Sequence, residues 1–139
     1  MNIQIEALSA ECLSNYFKKA GAFQNPVVFE ERVEKLSLYA SFVTARNEEW
    51  QIVGALGFYM NTKPICYITH VSVIESYKRN GIATKMLSFL EAEAFKRGFL
   101  FMKLEVHKDN HSAIIVYKKV GFSIKCDSSN GSYYMEKKL

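Results

Sequence analysis

The sequence predicts a single domain of the α+β class, built on a mixed, twisted sheet. Four early segments read as strands, residues 2–7, 39–46, 50–59 and 65–74, with two helical patterns between the first pair. Further along, a strand, a helix and a second strand follow one another, an order that places the two strands side by side and parallel. Two final strand patterns, residues 122–126 and 132–137, read as a closing hairpin.

Length and composition agree with one domain over residues 1–139. With 49% apolar and 14% aromatic side chains in 139 residues, the chain can bury one core and is too short for two ordinary domains. It has no apolar run approaching the ~20 residues of a membrane span. Residues 1–6 lack the basic and then apolar order of a signal peptide. We therefore expect a soluble, cytoplasmic protein.

The cysteines argue against a metal site, and the net charge is compatible with an anionic cofactor. Cys12, Cys66 and Cys126 are odd in number and widely spaced, without the paired spacing of a metal site, so we expect reduced thiols and no metal. A net charge of +4 favours an anionic cofactor without specifying one.

A turn between the fourth strand and the helix after it has the composition of a phosphate site. It consists of Lys78, Arg79, Asn80, Gly81, Ile82, Ala83 and Thr84. A helix start leaves its first N–H groups unpaired and carries partial positive charge, so it can cradle a diphosphate. Gly81 lets the backbone approach a ligand closely, and Lys78 and Arg79 add positive charge. Alternatively, these residues form an ordinary surface turn that caps a helix.

The helix after the turn is predicted from apolar residues at helical spacing, and a strand follows it. The spaced residues are Ile82, Met86, Leu87, Leu90, Ala94 and Phe95. Gly98 follows Lys96 and Arg97 as a C-terminal stop should, and residues 99–106 then read as an apolar strand. Asn110, Ala113, Tyr117, Gly121 and Phe122 come next, with the first three at helical spacing.

The order strand, Lys-x-x-Gly-x-Ala, helix, strand, Asn-x-x-Ala-x-x-x-Tyr-x-x-x-Gly-Phe resembles the GNAT superfamily of acyl-CoA-dependent N-acetyltransferases. The resemblance runs from about residue 68 to residue 122. It implies a sheet of about seven strands that splays between the fourth and fifth, flanked by about four helices. Lys78 departs from the family, whose turn usually begins with Gln or Arg, but such a turn works mainly through backbone N–H groups.

The resemblance also implies the chemistry, which is direct transfer of an acetyl group from acetyl-CoA to a primary amine. The strand segment Val71, Ser72 and Val73 would align the pantetheine arm and supply an N–H to the thioester carbonyl, while the 78–84 turn holds the pyrophosphate. Asn110 would bond the pantetheine arm or cap the short helix, two compatible roles. Tyr117 would be the general acid that protonates the departing thiolate. Alternatively, Tyr117 is only an aromatic residue of the core.

The general base is predicted to be Glu105, again from the resemblance. The stretch from Glu105 to Tyr117 resembles the N-terminal acetyltransferases of ribosomal proteins, in which the corresponding glutamate is assigned as the base. Alternatively, Glu105 faces solvent or packs structurally, and the amine loses its proton through water or directly.

His70 and His107 are further candidates for the base, each with a structural role as its alternative. On the strand before the turn, simple alternation would point Tyr67, Thr69 and Val71 into the cleft and leave His70 on the opposite face. A bulge, common beside active sites, would reverse that assignment.

Two other functions are compatible with parts of the sequence. A catalytically weak acyl-CoA-binding sensor or partner module would share the fold and the turn, and only Tyr117 and Glu105 argue against it. Residues 97–104 partly resemble an RNA-recognition strand, but Leu100 stands where that motif needs Gly or Ala, so we expect no nucleic-acid partner. The acceptor, a small molecule or a peptide, would be chosen by residues 8–38 and 127–134, and the sequence identifies neither it nor an oligomeric state.

Overall fold

A computed structural model of the chain describes residues 2–8, Tyr16 and residues 40–139. Seven strands are present: β1 (Gln4–Leu8), β2 (Ser41–Arg46), β3 (Ile52–Tyr59), β4 (Ile65–Val73), β5 (Phe101–His107), β6 (Ser123–Asp127) and β7 (Ser132–Lys138). They form one sheet in the order β1-β2-β3-β4-β5-β7-β6. The β4–β5 pair is parallel and the other pairs are antiparallel, so the predicted mixed sheet is confirmed.

Two helices follow strands of this sheet, α1 (Ile82–Lys96) after β4 and α2 (His111–Lys119) after β5. Short 3-10 turns lie at Glu75–Tyr77 and Ser129–Gly131. The two helical patterns predicted between β1 and β2 fall on residues 9–39, of which only Tyr16 is described, with a helical backbone. Neither of the described helices is long and apolar enough to cross a lipid bilayer.

Six apolar residues predicted helix α1, and five of them are buried where the helix packs on the sheet. The sixth, Phe95, is 69% exposed. The helix approaches β3 closely because Gly54 has no side chain there. A Cβ at Gly54 would lie 3.1 Å from Ile82 Cγ2 and 3.1 Å from Met86 Cε. Since Ile82 is the first residue of α1, this contact sets the distance between the start of α1 and the sheet.

The turn between β2 and β3 is longer than the sequence predicts. The Asn47 side chain accepts hydrogen bonds from the backbone N–H groups of Glu49 and Gln51, at 3.0 and 2.9 Å. Trp50 has a φ of +66°, in the left-handed region that such a turn needs. The strand therefore begins at Ile52 and not at residue 50.

A β-bulge interrupts the pairing of β3 with β4. Gly57 pairs with His70 and Phe58 with Ile68, so Thr69 is an extra residue on β4. Gly57 makes room for this bulge. A Cβ there would lie 2.9 Å from Phe42 Cε1 and 3.2 Å from Thr69 Cγ2.

Candidate active site

The sheet forks between β4 and β5. The two strands pair from Ile65 with Phe101 to Ile68 with Leu104, and no further. Beyond that point β4 continues to Val73 and β5 to His107. This is the splay predicted between the fourth and fifth strands. On the fork side, the backbone of residues 69–73 pairs with none of the described strands.

The turn that leads from β4 into α1 has two left-handed residues. Arg79 has a φ of +65° and Gly81 a φ of +73°. The first helical hydrogen bond runs from the Lys85 N–H to the Gly81 carbonyl, at 3.0 Å, and Gly81 provides no side-chain cap. The N–H groups of the first three helical residues therefore lack an intrahelical partner. Such consecutive N–H groups form a concave anion site.

Side-chain contacts fix the shape of this turn. Asn80 Nδ2 donates to the carbonyls of Tyr77 and Lys78, at 3.0 and 3.1 Å. The Tyr77 hydroxyl accepts a hydrogen bond of 2.9 Å from Asn47 Nδ2, which ties the turn to the β2–β3 connection. Lys78 lies 2.9 Å from Glu75 and lowers the pKa of that carboxyl. These bonds hold the turn without using the N–H groups at the start of α1.

The space beside Gly81 suits a bound phosphate. A Cβ at Gly81 would meet no atom within 4 Å. The first turn of α1 carries no acidic residue. The turn therefore has open space at Gly81 and helix N–H groups without an intrahelical partner, and a ligand there stays a prediction.

Asn110 begins α2 as its N-cap. Its Oδ1 accepts hydrogen bonds of 3.4 Å from the Ala113 N–H and from the Ser112 hydroxyl. The structure thus gives Asn110 the capping role, and the bond to pantetheine stays a prediction.

Tyr117 lies on α2 and is buried. The residue is 8% exposed, and its ring packs edge-on against Phe122, with centroids 6.0 Å apart. Its Oη makes no hydrogen bond within the described part of the chain, and no buried side-chain polar atom there lacks a partner. Burial raises the pKa of Tyr117 to about 12, so the phenol is protonated at neutral pH.

Glu105 is the first residue of β5 beyond the last pair with β4. It is exposed, pairs with Tyr134 on β7, and accepts a hydrogen bond from the Ser128 hydroxyl. Burial raises the pKa of Tyr67 across the fork, and the charge of Glu105 raises it further. Glu105 and Tyr117 share no hydrogen bond or ring contact among the described residues.

The bulge at Thr69 overturns the strand alternation inferred from sequence. Tyr59, Gly57 and Ala55 share one face of β3, and their β4 partners are Tyr67, His70 and Ser72. His70 therefore lies on the same face as Tyr67, and Val71 on the other. Tyr67 pairs with Lys103, and Lys103 shares a face with Glu105, so His70 and Glu105 flank the fork on one face.

A chain of hydrogen bonds runs along this face. His70 Nε2 lies 2.7 Å from Ser72 Oγ, which lies 2.8 Å from the Tyr16 hydroxyl. Burial lowers the pKa of His70 to about 4, so its imidazole is neutral at pH 7. The sequence prediction missed Tyr16, because a contact between residues 16 and 72 leaves no local pattern in the chain.

His107, the other histidine considered as a base, ends β5. Its exposed ring accepts a hydrogen bond from the Asp109 N–H at Nδ1, 3.2 Å away, and the Asp109 carboxylate lies 3.6 Å from the same nitrogen. These contacts shape the β5–α2 connection. Within the described ranges, no three His, Cys, Asp or Glu side chains cluster as a metal would require.

Comparison with known proteins identifies the family. The model of the acetyltransferase (GNAT) family matches residues 4–122, well over half of the chain. The chain belongs to this family and carries its acetyltransferase domain.

Solved structures share the whole fold. A PaiA N-acetyltransferase from Thermoplasma acidophilum, in complex with coenzyme A, superposes with a TM-score of 0.84 at 21% identity, covering 100% of both chains. The ribosomal-protein-S18-alanine N-acetyltransferase from Escherichia coli gives 0.80 at 18% identity, over 99% of this chain and 94% of the other. A GNAT acetyltransferase from Elizabethkingia anophelis with acetyl-CoA bound gives 0.79 at 17% identity, over 99% of each chain. At these identities the likeness establishes the fold, and the acceptor must be argued separately.

Proposed function

We propose that the protein transfers an acetyl group from acetyl-CoA directly to a primary amine. The observation that carries the proposal is the fork between β4 and β5, which opens toward a helix start with unused N–H groups. A strand that gives its hydrogen bonds to a ligand has to part from its neighbour. One sheet joins strands from Gln4 to Lys138, which supports a single domain over residues 1–139.

In this proposal the pyrophosphate binds at the 78–84 turn and the pantetheine arm lies along β4. Val71, Ser72 and Val73 lie beyond the last pair with β5, so the main-chain groups of this segment that point away from β3 are available to the arm. Asn110 stands at the far side of the fork, where β5 leads into α2.

Tyr117 is proposed to act on the leaving thiolate. A phenol with a pKa of about 12 is a weaker acid than a thiol, whose ordinary pKa is about 8.5. Such a phenol holds its proton and stabilises the thiolate mainly by donating a hydrogen bond. The proton that the phenol keeps at neutral pH supports this role, since a hydrogen-bond donor needs one.

Glu105 is proposed as the group that receives the amine proton, directly or through water. Its position at the mouth of the fork and its exposure support this assignment. As the C–N bond forms and the C–S bond breaks, the proton leaves nitrogen for the carboxylate. His70 is a poorer base, because a pKa of about 4 leaves little driving force for proton uptake at neutral pH.

The first experiment measures thermal unfolding with and without acetyl-CoA. Ligand at 100 times its Kd should stabilise the fold by about 2.7 kcal/mol. Gly81→Glu should abolish the shift by placing a carboxylate among the phosphate-binding N–H groups. Gly98→Glu is the matched control, since Gly98 also has a positive φ, +84°, but lies at the opposite end of α1.

A screen of amines and peptide N-termini, read by thiol release, then tests transfer. Release with at least one amine supports the enzyme. Binding without release across the panel would favour a catalytically weak acyl-CoA-binding module. No shift at millimolar acetyl-CoA would contradict the proposal.

A further inference from the structure

The half of β4 that lies beyond the fork pairs with one strand, where the first half pairs with two. Among the described strands, β5 pairs with residues 65–68, and residues 69–73 pair with β3 alone. The bulge weakens that support as well, because Thr69 has no partner on β3. Four pairs remain, from His70 with Gly57 to Val73 with Gly54. A strand end held in this way is free to twist or shift unless side chains restrain it.

Tyr16 supplies such a restraint. It is 6% exposed, and its hydroxyl lies 2.8 Å from Ser72 Oγ. Burial raises the pKa of Tyr16 to about 12, and hydrogen bonds from the Ser72 side chain and the Ala55 backbone lower it in part. Ala55 and Ser72 are direct partners across β3 and β4. One hydroxyl therefore bridges both strands at the same register position.

Ser72 extends the restraint to the bulge. Its Oγ lies 2.7 Å from His70 Nε2, so Tyr16, Ser72 and His70 form one hydrogen-bonded chain. His70 follows the bulged Thr69 directly. These hydrogen bonds thus restrain the half of β4 beyond the fork at two residues, at His70 beside the bulge and at Ser72 in the segment that faces the fork.

We propose that Tyr16 is a positioning residue that, through Ser72 and His70, holds the splayed half of β4 in the conformation that binds acetyl-CoA. The inference rests on the proposed function, because it assumes that the pantetheine arm lies along this half-strand.

The test compares Tyr16→Phe and Ser72→Ala with the unchanged protein. Acetyl-CoA Kd is measured by calorimetry at a temperature where each variant is fully folded. We expect each variant to bind about 5-fold more weakly, which corresponds to the loss of one hydrogen bond. The double variant should bind no more weakly than Ser72→Ala alone, because both changes break the same chain.

Thr44→Val is the matched control. Thr44 pairs with Ala55 on the other side of β3, is fully buried, and donates its hydroxyl to the Glu6 carbonyl at 3.3 Å, away from β4. This variant should lose stability but keep its acetyl-CoA Kd.

A second readout is specific to the hydrogen-bonded chain. The ¹⁵N resonances of the His70 ring report which nitrogen carries the proton. They should shift in Ser72→Ala and, less strongly, in Tyr16→Phe, and should not move in Thr44→Val. Lower melting temperatures with unchanged Kd in both variants would overturn the inference. Failure of the unchanged protein to bind acetyl-CoA would instead overturn the proposed function.

Discussion

Tyr117 has a ring that packs against Phe122 and a hydroxyl that is proposed to bind the leaving thiolate, so removing one oxygen atom tests its role. Tyr117→Phe keeps the contact with Phe122 and removes the hydrogen-bond donor. We expect kcat for thiol release to fall by roughly 10²–10³-fold, the range for the loss of one hydrogen-bond donor to a developing negative charge, with acetyl-CoA Kd unchanged. Unchanged turnover would reduce Tyr117 to a core residue and leave the enzyme assignment intact.

His70 makes the fold sensitive to acid. Its pKa falls from the ordinary 6.5 to about 4 on folding, so between these values the unfolded chain binds a proton that the folded chain does not. The free energy of unfolding should therefore fall as pH drops from 6.5 to 4, by about 3 kcal/mol. Urea unfolding across this range should show the loss in the natural protein and much less of it in His70→Gln. Parallel pH profiles for the two proteins would rule out His70 as the source.

At the scale of the elements, the bulge in β4 depends on a glycine in the neighbouring strand. A methyl group at Gly57 would press on the ring of Phe42, which is fully buried and cannot move aside. We expect Gly57→Ala to lower the free energy of unfolding by about 1–3 kcal/mol, as overpacked cores do. Urea unfolding measures the change.

Gly54→Ala is the comparison for that prediction, because it lies on the same strand. Its new methyl group would meet Ile82 Cγ2 and the flexible end of Met86 at 3.1 Å, so the neighbours can yield. The loss of stability should be smaller than in Gly57→Ala. An equal or larger loss would contradict the role given to the contact between Gly57 and Phe42.

The sequence predicted where strands and helices lie better than it predicted which face of the sheet a side chain occupies. Strand and helix positions follow from local spacing, and α1 ends just before Gly98, the glycine that predicted its stop. The face of His70 did not follow from simple alternation, because the extra residue Thr69 shows only in the pairing of β4 with β3. The 78–84 turn could be singled out because its residues are adjacent in the chain, and the phosphate there stays a prediction. Tyr16 was missed because its partner is 56 residues away.

At the scale of the whole molecule, Lys137 connects helix α1, which follows the 78–84 turn, to helix α2, which carries Tyr117. Lys137 on β7 donates to Glu91 on α1 at 2.8 Å and to the Val120 carbonyl at the end of α2 at 2.6 Å. Its side chain is 20% exposed and lies over Gly121, where a Cβ would come within 3.1 Å of it. The two helices that flank the fork are therefore joined through a third element.

Lys137→Met removes both hydrogen bonds of this lysine and keeps the apolar part of its side chain. It leaves a carboxylate and a carbonyl without their donor, and we expect a loss of about 1–3 kcal/mol in urea unfolding. Glu91→Gln should have a smaller effect, because Lys137 still bonds Val120. Lys108→Met is the control: its pair with Asp127, at 2.7 Å, is about as short but exposed, so stability should hardly change. Equal losses in the two lysine variants would show that the junction contributes no more than a surface pair.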